Sequence, residues 1–111
     1  MSDIWPSEIR LLKDKRTLRV GFENGESYEL PAEYLRVESP SAEVQGHSPA
    51  EKITVRGKEN VAITALEPVG NYAVRIVFDD GHNTGLYTWD YLAKLGQGLS
   101  TIWAAYLASK P

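Results

Sequence analysis

The chain has no cysteine. That absence removes disulfide bonds, thiolate catalysis and any thiolate-bound zinc in one step, and it points to the cytoplasm as the expected compartment. It also lacks an excess of positive charge: the formal net charge is -3 and the pI about 5.3. The average field therefore repels phosphate backbones, and nucleic-acid binding would need a local basic patch. The one such cluster, Lys13, Lys15, Arg16 and Arg19, reads as a hairpin turn and adjacent strand facing water. No apolar run approaches the roughly 18 residues of a membrane span, and the start, MSDIWPSEIR, lacks the basic and apolar regions of a signal peptide. Enzyme signatures are missing as well. There is no Gly-x-Ser-x-Gly nucleophile elbow. The run Gly96-Gln97-Gly98-Leu99-Ser100-Thr101 lacks the lysine of a phosphate-binding loop, so helix capping explains it better.

What is present describes an ordinary folded chain. Its 111 residues are 42% hydrophobic and 24% charged, which suits one domain, residues 1–111, with one core. Alternating apolar residues, Ile9 and Leu11, then Leu18, Val20 and Phe22, read as a hairpin around Lys13–Arg16. Asn24-Gly25 turns the chain into a third strand with Tyr28 and Leu30 on one face. Pro31 suits the first position of a short helix that carries Tyr34 and Leu35 inward. Ser39 and Pro40 open a further helical turn that Gly46 closes before His47. The segment from there to Asn60 is polar and reads as a loop, with Ile53 and Val55 in a short strand.

Val61–Leu66 and Tyr72–Phe78 alternate β-branched and aromatic residues around a turn at Pro68–Asn71. Tyr72, Val74, Ile76 and Phe78 share one face. Asp79-Asp80-Gly81 turns into a return strand over Thr84–Tyr87, and Thr88 caps a helix. Trp89, Leu92, Leu95, Leu99, Ile102, Trp103 and Tyr106 then recur at helical spacing as a core stripe, with Gly96-Gln97-Gly98 dividing two helices. The fold class is α+β: a small antiparallel sheet built from hairpins, with short helices and a C-terminal helical segment packed on it. The pattern Phe22-Glu23-Asn24-Gly25 leading to Glu33-Tyr34-Leu35 is echoed by Phe78-Asp79-Asp80-Gly81 leading to Asp90-Tyr91-Leu92.

Chemistry concentrates at two glycine–histidine pairs, Gly46-His47 and Gly81-His82. Histidine changes charge near neutral pH and is the commonest metal ligand. Glu43 precedes the first, and Asp79 and Asp80 precede the second. A His/carboxylate metal cluster forms if the two turns meet; otherwise both histidines face solvent or serve structure.

Taken together, Ser39-Pro40-Ser41-Ala42-Glu43 with Gly46-His47, and Asp79-Asp80-Gly81-His82 with Tyr87 and Trp89-Asp90-Tyr91-Leu92, resemble the gamma-butyrobetaine hydroxylase-like N-terminal domain family. The resemblance implies a small α+β module known in three settings. It occurs alone in bacteria, ahead of the catalytic domain of carnitine-pathway 2-oxoglutarate oxygenases, and fused to Mrp-type ATPases linked to iron–sulfur delivery. In the oxygenases a cysteine-rich segment in the region matching Leu35-Arg36 supplies zinc thiolates, and the equivalent of His82 completes the site. Here Ser39 and Ser41 stand where cysteines are expected, so the resemblance implies that the zinc site is lost and that no cofactor is held. In place of the metal, the two serines would cap helical backbone near His82.

The functional expectation is a non-catalytic accessory or adaptor module that binds a protein, with no nucleic acid and no membrane as partner. Its surface would be Ser39, Ser41, Glu43, His47, Asp80, His82 and Asn83. The competing expectation is a metal- or small-ligand-binding protein that uses His47 and His82 with Asp79, Asp80 and Glu43.

Overall fold

The computed structural model describes residues 5–41, 44 and 55–110. Over these residues the chain runs twice through the same order of elements. β1 (Pro6–Leu11), β2 (Thr17–Phe22) and β3 (Ser27–Pro31) form one antiparallel sheet in that spatial order, followed by α1 (Ala32–Val37). β4 (Ile63–Val69), β5 (Ala73–Phe78) and β6 (Leu86–Thr88) form a second, followed by α2 (Trp89–Gln97). A π-helical turn, Leu99–Trp103, and α3 (Ala104–Ala108) continue the chain. The architecture is α+β; the single sheet expected from the sequence is divided into two.

The two acidic turns adopt one solution. In the first, Phe22 N–H donates to Glu26 O, Gly25 N–H to Phe22 O, and Glu26 N–H to Asn24 Oδ1. In the second, Phe78 N–H donates to His82 O, Gly81 N–H to Phe78 O, and His82 N–H to Asp80 Oδ1. Gly25 and Gly81 lie at φ 94° and 92°, the left-handed region that side-chain-bearing residues disfavour. Asn24 and Asp80 thus do the same local work. The sequence echo is this shared turn.

One apolar cluster joins the two units. It takes Leu18, Val20 and Leu30 from the first sheet, Ile63, Val74, Ile76 and Phe78 from the second, Tyr34 and Leu35 from α1, and Leu92 and Leu95 from α2. Burying each large side chain contributes about 1.5–3 kcal/mol. The β1–β2 turn also tethers the units through backbone, Ile63 N–H donating to Lys15 O at 2.7 Å, while Ala32 N–H donates to Arg16 O at 2.8 Å within the first unit. Lys15 takes φ 61°, an unfavourable conformation for lysine.

Several sequence expectations change in detail. Pro31 is extended, at φ -63° and ψ 143°, and precedes α1 rather than opening it. The fourth strand runs on through Pro68 to Val69, so the turn falls at Gly70 and Asn71, and Tyr72 is exposed outside β5. Leu86, an apolar residue of the return strand, is 38% exposed. The register explains it: Val74 pairs with Tyr87 and Arg75 with Leu86. Alternation therefore sends Tyr87 inward and Leu86 outward. Thr88 caps α2 as expected, its Oγ1 accepting from Tyr91 N–H at 3.2 Å.

Candidate functional site

The sequence-selected residues that fall within the described chain gather where the end of α1 meets the β5–β6 turn. Ser39 lies just beyond α1 and His82 lies in the turn, and Ser39 Oγ and His82 Nε2 share a 2.8 Å hydrogen bond. Ser39 is 0% and His82 7% exposed. Ser39 Oγ also accepts from Ser41 N–H at 3.2 Å, and Ser41 Oγ is hydrogen-bonded to Thr84 Oγ1 at 2.7 Å. Ser39 Oγ thus serves a backbone N–H beside His82, but outside a helix, and Ser41 Oγ meets a side chain rather than the helical backbone expected. Gly85 makes room for the contact: a Cβ there would lie 2.6 Å from Ser39 Oγ and 3.0 Å from the Tyr87 ring.

A Ser–His pair at this distance has the spacing of a nucleophile and its base. Burial decides against that role, because Ser39 offers no surface to a substrate and its oxygen already serves the backbone of Ser41.

Asp80 is the electrostatic centre of the region. Its Oδ2 receives Lys58 Nζ at 2.7 Å and Arg36 Nε at 2.8 Å, while its Oδ1 receives the His82 N–H at 3.0 Å. One carboxylate thus joins α1, the segment before β4 and the β5–β6 turn. Burial pushes its pKa up, but the hydrogen bonds from Lys58, His82 N–H and Arg36 outweigh it and hold the group well below the ordinary carboxylate range. Asp79 serves the backbone instead. Its Oδ1 accepts from Ala62 N–H at 3.1 Å and its own N–H donates to Ala62 O at 2.9 Å.

Two tyrosines complete the setting, and the sequence reading missed their role. Tyr87 OH donates to Leu35 O and Tyr91 OH to Glu38 O, satisfying carbonyls that the end of a helix leaves without partners. Burial raises the Tyr87 pKa, and burial followed by the Glu38 charge pushes Tyr91 up to about 12. Arg36 and Lys58 were also missed as Asp80 partners, and no local pattern in the sequence signals either.

Of the expected surface, Ser39, Ser41 and His82 are buried and support the loop from beneath, Asp80 is held by two cations, and Asn83 is exposed. Glu43 and His47 lie outside the described residues, as does most of the second helical turn and the strand expected at Ile53. The groups that converge are three neutral hydroxyls, of Ser39, Ser41 and Thr84, and one imidazole, joined by hydrogen bonds. They do not fit the thiolate-rich zinc site described above for the oxygenases, since structural zinc takes about four N or S ligands. Among the described residues no group of three His, Cys, Asp or Glu side chains is placed to hold a metal ion, and no helix is long and apolar enough to cross a membrane.

The family model described as "Gamma-butyrobetaine hydroxylase-like, N-terminal" matches residues 9–93. A protein solved by solution NMR is 50% identical, with 95% of this chain and 82% of that one covered at a TM-score of 0.80. A second NMR structure is 47% identical, covering 97% and 81% at a TM-score of 0.81. A crystal structure from Acidithiobacillus ferrooxidans, described as a protein of unknown function in the DUF971 family, is 42% identical, covering 82% and 91% at 0.66. No curated protein matches the sequence.

Proposed function

The chain belongs to the gamma-butyrobetaine hydroxylase-like N-terminal family, and from that premise we propose that it is a non-catalytic accessory or adaptor module that binds another protein. The setting is cytoplasmic, beside a 2-oxoglutarate oxygenase or an Mrp-type ATPase in iron–sulfur delivery. One observation carries the reading. Among the described residues, the polar side chains that look chemical in the sequence hold the fold: Ser39 and His82 bond each other below the surface, and Asp80 is bound by Arg36, Lys58 and the His82 N–H. Of the expected surface among the described residues, Asn83 is left exposed in the same loop, suited to contact rather than to turnover. The net charge of -3 favours a protein partner over nucleic acid.

Native lysate passed over the immobilised protein tests the reading, with Asn83→Lys as the comparison, since His82 is too deeply packed for a clean surface variant. A partner enriched by the wild type and lost with Asn83→Lys, the amide spectrum otherwise unchanged, is the expected result. Failure of the wild type to enrich any protein above an unrelated bait of equal size overturns the adaptor reading.

A further inference from the structure

We propose that residues 55–60, the segment leading into β4, form a strap that couples the C-terminal helix to the β5–β6 loop. Docking of the strap on α3 and pairing of Lys58 with Asp80 occur together, so displacing α3 loosens the loop that carries Asn83. The inference goes beyond the adaptor reading and stands independently of it, since every contact in it lies within this chain. The strap is held on two sides. Toward the C-terminus, Tyr106 OH donates to Val55 O at 3.2 Å and Arg56 Nη1 to Ser109 Oγ at 3.1 Å. The Arg56 guanidinium also lies 5.3 Å from the centroid of the Tyr106 ring, and Glu59 Oε2 lies 3.3 Å from Lys110 Nζ. Toward the loop, Lys58 Nζ reaches Asp80 Oδ2 at 2.7 Å, and Asp80 Oδ1 accepts from the N–H of His82, the residue before Asn83. Arg56 and Glu59 thus meet the C-terminal segment while Lys58, between them, meets the loop. Gly57, at the left-handed φ of 76°, turns the chain from one to the other.

The seat of the strap is anchored in the core. Tyr106 stacks on Trp103 with ring centroids 5.5 Å apart, and Trp103 meets Tyr34 of α1 at 5.2 Å. The strap's own contacts are weaker. Arg56 and Glu59 are exposed, and exposed ion pairs and cation–π contacts hold weakly one at a time. Acting together on one short segment, they make the docked and undocked strap two states that both ends bias, which is the physical requirement for coupling. Releasing the α3 side leaves Lys58 on a freed segment and weakens the hold of one of the two cations on Asp80. A parallel route runs from Lys110 Nζ to Glu33 Oε2, 2.6 Å away, and along α1 to Arg36 and Asp80. Lys58 belongs to the strap route alone, so substituting it separates the two.

Native-state hydrogen exchange of the whole chain, read amide by amide, tests the coupling. Tyr106→Phe removes the hydroxyl that Val55 O accepts from and keeps the ring stack, and Glu59→Gln removes the charge facing Lys110. Together they should speed exchange of the His82 N–H about fivefold. The Glu26 N–H, its counterpart in the first acidic turn, should stay unchanged. Coupling is reciprocal, so Lys58→Gln should speed exchange of the Ser109 and Lys110 N–H groups, which bond within the C-terminal turn. In the Lys58→Gln background the Tyr106→Phe/Glu59→Gln pair should no longer act on His82. His82 exchange unmoved by the pair, Ser109 and Lys110 exchange unmoved by Lys58→Gln, or an equal rise at Glu26 overturns the proposal. So does an effect of the pair on His82 that survives Lys58→Gln, which assigns the coupling to α1. Each outcome leaves the adaptor reading untouched.

Discussion

Replacing Asp80 by asparagine separates its charge from its shape. The amide keeps an oxygen for the His82 N–H but no longer balances Arg36 and Lys58, whose side chains are 13% and 25% exposed. Breaking a fully buried pair costs about 3–5 kcal/mol. The Asp80 side chain is 19% exposed and that of Lys58 more so, so solvent screens part of the loss. Asp80→Asn should cost about 1–3 kcal/mol at neutral pH, and Asp80→Ala more, because the turn loses its acceptor too. The pH dependence is the sharper signature. The folded-state pKa is depressed, so the stabilisation is present above the unfolded value of about 3.9 and is lost as pH falls below it toward the folded value. Urea unfolding of wild type and Asp80→Asn between pH 7 and pH 2 should show a constant gap down to about pH 4.5, then a narrowing one. A gap that stays constant to pH 2, or one indistinguishable from zero at pH 7, refutes the picture of an ionised hub joining three segments.

Gly85→Ala forces a methyl to within 2.6 Å of Ser39 Oγ and should destabilise by about 1–3 kcal/mol in denaturant unfolding, with part of the loss recovered in the Gly85→Ala/Ser39→Ala double variant. Lys15→Gly relieves the left-handed φ of 61° while keeping the carbonyl that receives Ile63 N–H; a gain of up to about 1 kcal/mol is expected, and a loss in calorimetric midpoint would mean that the lysine side chain contributes more than its backbone costs. Tyr91 is raised to about 12 and Tyr87 is raised too, so their stabilisation is present below the unfolded tyrosine value of about 10 and is lost as pH rises through the folded values. Absorbance titration at alkaline pH should show both phenols ionising late or only with unfolding.

Much of the fold was legible because it is written locally. Alternation marked β2, β3 and β5, Asn24-Gly25 and Asp80-Gly81 marked turns, and Thr88 marked the start of α2, each a consequence of backbone geometry within a few residues. The convergence of Ser39 with His82 was foreshadowed by the family resemblance. The roles of Tyr87, Arg36 and Lys58 were not legible: their partners lie 52, 44 and 22 residues away in sequence, and no local pattern encodes which carbonyl or carboxylate a side chain will meet.

By itself, then, the sequence determined the kinds of element, the repeated turn and the exclusion of thiol chemistry. These depend on residue type and on spacing along the chain. Tertiary structure alone decided that the hairpins divide into two sheets, that a one-residue difference in register buries Tyr87 and exposes Leu86, and that the polar residues around His82 brace the fold from within. Those outcomes depend on which strands pair and in what register, and in a half-buried sheet a shift of one residue exchanges the inner and outer faces.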